Sequence, residues 1–172
     1  MDYRARYAEG TLRLMTNAPP DIPDGETVTV SIERQRSGKS HRHQFAFVKE
    51  AWMNLPEHLS DMPWAETAEH LRKHALIATG FHQTYTLDCG SEASARRVKA
   101  ALVSAEAHAH GYAIGRVRGP VVQIWTPESQ SYRAMGGDRF KASKAAIMQF
   151  ISDQIGVSVE EMMNGVNHEM LD

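Results

Sequence analysis

A run of basic residues between positions 34 and 49 is the clearest candidate for chemistry in the sequence. Arginine and lysine side chains supply positive charge and hydrogen-bond donors that suit phosphate oxygens. The glycine and serines of the run can expose backbone N–H groups, and a helix that begins there adds partial positive charge. Two histidines could donate to phosphate or stack on a base. The pattern predicts a phosphate-binding surface made of Arg34, Arg36, Ser37, Lys39, His41, Arg42, His43 and Lys49.

Aromatic residues follow the basic run, and they allow two interpretations. Phe45, Val48, Trp52 and Leu55 recur at the spacing of one helix face, which predicts that they pack in the core. Alternatively, Phe45 or Trp52 stacks on bases, as in proteins that bind single strands. The charges themselves could also form an ordinary solvated loop. The letters GKS do not predict a nucleotide-binding loop, because the earlier glycine of that motif is absent.

Patterns that would support catalysis are weaker. His70 and His74 are four residues apart, as in metalloprotease zinc sites, but Leu71 stands where such sites need a glutamate. No third ligand is evident nearby, and no Gly-x-Ser-x-Gly elbow occurs in the sequence. We therefore predict no catalytic residue, no metal and no cofactor. A metal-dependent nuclease stays open as the weakest alternative.

Composition limits the kind of nucleic-acid binding that the chain could perform. The 172 residues carry a net charge of -2, with 42% hydrophobic and 23% charged residues, so a globular core can form. Proteins that grip long duplex DNA are usually far more basic, so a binding role has to depend on a local patch. The single cysteine, Cys89, excludes an internal disulfide. The charged N-terminus and the lack of a long apolar stretch predict a cytoplasmic protein.

Hydrophobic periodicity and turn residues predict the elements that position the basic run. The predicted strands are a hairpin over residues 3–15, a strand over 26–35, a strand over 81–89, and two strands within 111–127 around Gly119. The predicted helices run from Ser37 or Ser40 to Pro56, over 65–79, over 91–110, from Asp138 to Gly156, and after a Ser158–Glu161 capping box. This order predicts an α+β fold, with a mainly antiparallel sheet and three to four major helices. We expect one domain over residues 1–160 and a flexible acidic tail over residues 161–172.

The stretch VTVSIERQRSGKSHRHQFAFVKEAW, residues 28–52, resembles the early segment of the phage NinB (Orf) recombination-mediator family. In that family a strand ends in basic residues and leads through Arg-Ser and Asn-Arg into a helix with aromatics. Arg36, Ser37 and Arg42 match this pattern, and His41 replaces the asparagine. A related group of uncharacterised phage proteins shares the HRxxFA element.

A second stretch, residues 128–151, resembles a later segment of the same family that leads into a helix. The match lies on Ser129, Ser131, Met135 and Phe140. The resemblance implies a dimeric phage or prophage protein that binds single-stranded DNA without cutting it. Such a protein helps to load a recombinase onto DNA covered by single-strand-binding protein. The DNA-facing positions that it implies are Arg36, Ser37, His41, Arg42, Ser131 and Arg133, with Lys141 in the supporting segment over residues 129–141.

The acidic C-terminal segment keeps a second class of function open. From residue 154 onward the sequence has Glu160, Glu161, Glu169 and Asp172 but no lysine or arginine. Such a segment could contact proteins, which would suit a phage-encoded factor that acts on a host complex, for example as a defence inhibitor. A frayed, solvated tail is the other interpretation.

Overall fold

The computed structural model describes residues 5–15, 22–23, 25–29, 38–131 and 133–169, with the backbone alone for residues 38–40 and 165–169. Helices and two antiparallel sheets in these ranges confirm the predicted α+β class. The strands are β1 (Ala5–Ala8), β2 (Thr11–Leu14), β3 (His82–Asp88), β4 (Ile114–Arg118) and β5 (Val121–Pro127). The helices are α1 (Gly38–Met53), α2 (Glu57–Ser60), α3 (Ala68–Ala78), α4 (Glu92–His110), α5 (Gly137–Ile155) and α6 (Val159–Glu169).

The chain forms two compact units, Met1–Ile32 and Glu33–Asp172. In the first unit, β1 and β2 pair as the predicted antiparallel hairpin. Its turn residues Glu9 and Gly10 have φ angles of 51° and 79°, the positive values that a two-residue type I′ turn requires. The predicted strand over residues 26–35 is wrong for residues 26–29, which are exposed and irregular. Alternation alone does not make a strand, because its backbone groups need a partner and one face needs packing. Residues 30–35 lie outside the described ranges.

The second unit contains a three-stranded sheet in the order β3-β5-β4. Strands β4 and β5 form the predicted hairpin around Gly119, and β3 pairs with the other side of β5. Helix α4 packs on one face of the sheet, over Val122 and Ile124. It approaches closely at Gly115, where a Cβ atom would lie 2.3 Å from a methyl group of Val103. Gly115 therefore sets the distance between α4 and the sheet.

The main core lies between helices α1, α3, α5 and α6, with the opposite side of β5 packed against it. Its fully buried large side chains include Phe47, Leu71, Leu76, Ile147 and Ile151. Each such side chain contributes about 2 kcal/mol by leaving water. This helical layer gives α1 one buried side and leaves its opposite side in solvent.

Capping residues explain where most of the helices begin and end. Ser91 accepts the N–H of Ser94 at the start of α4, and Gly111 ends that helix with a φ of 74°. Gly156 ends α5 as predicted, with a φ of 76°. The predicted cap Asp138 is wrong, because Gly136 occupies the N-cap of α5 and Asp138 lies in its first turn. A carboxylate in that turn still favours the helix dipole.

Helix α6 begins at the predicted capping box. The Ser158 hydroxyl accepts the N–H of Glu161 at 3.2 Å, and the Glu161 carboxylate accepts the N–H of Ser158 at 3.0 Å. The helix continues to Glu169, and Met162 is buried against the core. Most of the segment predicted as a tail is thus helical, while the predicted limits of domain and tail stay predictions.

Candidate nucleic-acid interface

Helix α1 turns a different face to the core than its apolar spacing predicts. Its buried residues recur at i, i+3, i+4 and i+7 and are Gln44, Phe47, Val48 and Ala51. Phe45, which the apolar stripe places in the core, is 46% exposed. The polar Gln44 lies inside with its side-chain amide nitrogen donating a 3.1 Å hydrogen bond to Gln130, which offsets part of the loss of water, while its side-chain oxygen has no hydrogen-bond partner among the described residues. The assignment of Phe45 to the core is therefore wrong.

Trp52 keeps its predicted place. It is partly buried against the main core, and its indole N–H donates a 2.6 Å hydrogen bond to the carbonyl of Ala65. Buried tryptophan usually needs such a partner. Of the two aromatic residues considered for base stacking, Phe45 is the more exposed.

The solvent side of α1 carries two cations and an aromatic ring. Arg42, Phe45 and Lys49 are spaced i, i+3 and i+7, so they share one face, called here the outer face of α1. All three side chains are exposed. Neither Arg42 nor Lys49 forms an ion pair with any residue that the structure describes. Within the described residues, the outer face of α1 thus carries two cations without an ion-pair partner, one on either side of a ring.

A pocket of about 490 Å³ opens beside Phe45, called here the α1–α3 pocket. Two residues predicted from distant parts of the sequence, His41 and Ser131, both lie in its wall. The His41 ring stacks on Phe140, with ring centres 4.7 Å apart, and lies 6.0 Å from the Phe45 ring. The fold therefore brings together residues from both segments that carry the family resemblance.

A buried polar network forms the inner wall of this pocket. The guanidinium of Arg72 donates two hydrogen bonds to the carboxylate of Glu69, at 2.8 and 2.6 Å, and a third to Gln130. The side-chain amide of Gln130 donates to the hydroxyl of Ser143 at 2.8 Å. Arg72, Gln130, Gln44 and Ser143 are all buried. Paired polar groups of this kind fix side-chain positions in a core.

The network also supports the outer face of α1. The guanidinium carbon of Arg72 lies 5.3 Å from the centre of the Phe45 ring, within the range of a cation–π contact. Phe45 therefore has Arg72 and His41 beside it, and about half of the side chain is open to solvent. A ring held in this way loses little freedom when a ligand stacks on it.

The charge of Arg72 is already compensated. Burial alone raises the pKa of Glu69, but hydrogen bonds and charge from Arg72 and Lys73 outweigh burial and lower it. Glu69 therefore stays ionised at neutral pH and offsets the charge of Arg72. The α1–α3 pocket suits a neutral, polar, flat group better than a phosphate.

Two other predicted residues, His43 and Lys141, lie away from the α1–α3 pocket. His43 is partly buried, and burial followed by the charge of Lys144 lowers its pKa. Lys141 is exposed, and its ammonium lies 3.8 Å from Asp138. Lys141 and Lys144 line a separate surface depression with Met148. His43 thus lies on the side of α1 that faces α5, where Lys141 is located, and among the described residues neither of them lines the α1–α3 pocket.

Several predicted positions receive no structural test. Arg34, Arg36 and Ser37 lie outside the described residues, as does the side chain of Lys39. Arg133 is described and exposed. These positions stay predictions.

Three residues of the pocket wall, Arg72, Glu69 and Gln130, were not predicted from the sequence. A signal for Arg72 exists, since it lies four residues from both Ala68 and Leu76 on the apolar side of α3. An arginine at such a position needs a buried partner. Its partner Gln130 comes from a loop far along the chain, which spacing cannot identify.

The two histidines considered as zinc ligands have structural surroundings. His74 stacks on Trp64 with ring centres 5.3 Å apart, and its Nδ1 lies 3.2 Å from the hydroxyl of Tyr112. Burial lowers the pKa of His74 to about 4 and raises the pKa of Tyr112 to about 12. Among the described residues, no three His, Cys, Asp or Glu side chains are grouped to hold a metal ion.

Comparison with protein-family models, curated proteins and solved structures gives no match for this chain. In the described part of the chain, no helix has the length and apolar character needed to cross a membrane. The resemblance to the NinB (Orf) family therefore stays an expectation from the sequence.

Proposed function

We propose that this protein binds single-stranded DNA through the outer face of α1 and the adjoining α1–α3 pocket. The observation that supports the proposal is the alternation of Arg42, Phe45 and Lys49 on one exposed helix face. Arg42 and Lys49 are seven residues apart, about 10 Å along the helix axis. Two phosphates of one strand can match that spacing, while a base between them stacks on Phe45.

A single strand suits this surface better than a duplex. An unpaired base can leave its stack, contact Phe45 and enter the pocket beside Ser131 and Gln83, whereas a paired base cannot. The net charge of -2 also leaves little general attraction for duplex DNA. We extend the proposal to a non-catalytic accessory role in recombination in a phage or prophage setting, in the host cytoplasm.

The phosphate contacts can be tested with a labelled oligonucleotide and fluorescence anisotropy. We expect Arg42→Glu with Lys49→Glu to weaken binding by at least about tenfold, since two attractive charges become repulsive. The matched control reverses Arg97 and Arg118, which are exposed on α4 and β4. Equal losses in both double variants, or none in the first, would reject the assigned surface.

The stacking contact needs a separate variant. We expect Phe45→Ala to weaken binding of a single strand by about 1–3 kcal/mol, because one base loses its stacking partner. Phe45→Tyr keeps a ring and should bind as the unmodified protein does. If Phe45→Ala binds with full affinity, Phe45 does not stack on a base.

A further inference from the structure

Among the described residues, strand β3 is an edge strand of the three-stranded sheet. It pairs with β5 on one side, and no described strand pairs with its other side. Six of its seven residues are exposed. Natural sheets usually protect such an edge with lysine, proline or a bulge, yet β3 reads HQTYTLD and contains neither lysine nor proline.

The backbone groups that point away from β5 can be identified. The N–H of Glu128 donates to the carbonyl of Phe81, and the N–H of Cys89 donates to the carbonyl of Pro120. Because such bonds alternate along an antiparallel pair, the odd-numbered residues of β3 bond to β5. The N–H and C=O groups of His82, Thr84, Thr86 and Asp88 therefore point outward.

We propose that a second copy of this chain pairs with β3, strand to strand and antiparallel, about a two-fold axis through Tyr85. The proposal does not depend on DNA binding. It joins two three-stranded sheets into one sheet of six strands.

The sequence of β3 is complementary to itself in this register. Thr84 lies opposite Thr86 of the second copy, and His82 lies opposite Asp88, an imidazole against a carboxylate. Both pairs join outward-pointing backbone groups, and about eight hydrogen bonds can form. A centre at Thr84 or Thr86 would shorten the overlap and lose the pairing of His82 with Asp88. Cross-strand pairs of these kinds favour antiparallel association.

Apolar side chains beside the edge provide area to bury. Tyr85 and Leu87 are 44% and 48% exposed. Through Ile124, Tyr85 is in register with Gly115, which faces α4, so Tyr85 and Leu87 lie on the α4 side of the sheet. In the proposed register Tyr85 meets its own copy at the axis, and aromatic pairs of this kind stabilise sheets.

The test uses the full chain and two substitutions at one position. Thr84→Pro removes an outward N–H and leaves the bonds to β5 in place, which an edge strand tolerates. Thr84→Val keeps the N–H and the β-branched shape. We expect light scattering after gel filtration to show a dimer for the unmodified protein and for Thr84→Val. Thr84→Pro should dissociate about tenfold or more readily, since each dimer loses two hydrogen bonds.

A second variant and a second readout guard against misfolding of the proline variant. Tyr85→Lys sets two like charges opposite each other at the axis and should also give a monomer with an unchanged circular dichroism spectrum. Amide exchange at Thr84 and Thr86 should slow as protein concentration rises. A monomeric unmodified protein, or a dimer that survives both Thr84→Pro and Tyr85→Lys, would overturn the proposal.

Discussion

Gln130 joins three elements through a single side chain. Its oxygen accepts hydrogen bonds from Gln44 of α1 and Arg72 of α3, and its nitrogen donates to Ser143 of α5. Removing this amide would leave the side-chain amide nitrogen of Gln44 and one guanidinium nitrogen of Arg72 without their buried acceptor, although Arg72 would keep its bonds to Glu69. The cost of such orphaned groups exceeds the value of the bonds themselves.

We therefore expect Gln130→Leu to lower the free energy of unfolding by about 3 kcal/mol. Gln149→Leu is the matched control, because Gln149 is exposed on α5 and bonds only to Asp153 within the described residues. That control should stay within about 0.5 kcal/mol of the unmodified protein. Urea denaturation measures both values, and similar losses would show that the network is not important for stability.

His74 should make stability depend on pH. Burial lowers its pKa from 6.5 to about 4, so the unfolded chain takes up a proton at a higher pH than the folded protein. Stability from this residue is complete above pH 6.5 and is lost as pH falls toward 4. With allowance for partial exposure, we expect a loss of about 1–2 kcal/mol between about pH 7.5 and pH 5.

The variant His74→Phe separates this effect from other titrating groups. A phenyl ring can keep the stacking on Trp64 but cannot take a proton. In this variant, the loss of unfolding free energy between about pH 7.5 and pH 5 should be smaller by about 1–2 kcal/mol than in the unmodified protein. An unchanged pH dependence would show that His74 does not resist protonation in the folded protein.

At the scale of elements, the close packing of α4 on the three-stranded sheet depends on Gly115. A Cβ atom there would overlap the side chain of Val103, so Gly115→Ala should push α4 away and cost about 1–3 kcal/mol. Gly137→Ala in the first turn of α5 is the control, because no atom lies within 4 Å of its added Cβ. Thermal unfolding compares the two, and equal melting temperatures would contradict the close approach.

Local signals predicted most elements of the second unit. Ser91 and Gly111 bound α4, and Ser158 with Glu161 begins α6, because side chains near in sequence satisfy the free backbone groups at helix ends. The prediction of a strand was wrong for residues 26–29 because this alternating segment has no described strand to pair with. The prediction of which face of α1 is buried was wrong because Gln44 lies in the core. Its hydrogen-bond partner there, Gln130, is distant in sequence.

At the scale of the whole molecule, the residues predicted to bind phosphate lie on different surfaces. His41 and Ser131 meet at the α1–α3 pocket, whereas His43 and Lys141 lie toward Lys144. Sequence spacing could place Arg42 and Lys49 on one helix but could not tell which side faces solvent. That choice depends on packing among α1, α3 and α5, which is tertiary information.

The most direct test of the account is an amide NMR titration with a short single-stranded oligonucleotide. We expect the largest shifts on α1 between His41 and Lys49 and at Ser131, and we expect these shifts to weaken as salt rises. Shifts confined to α4 and β4, with α1 unaffected, would contradict the assignment of the outer face of α1 as the DNA-binding surface.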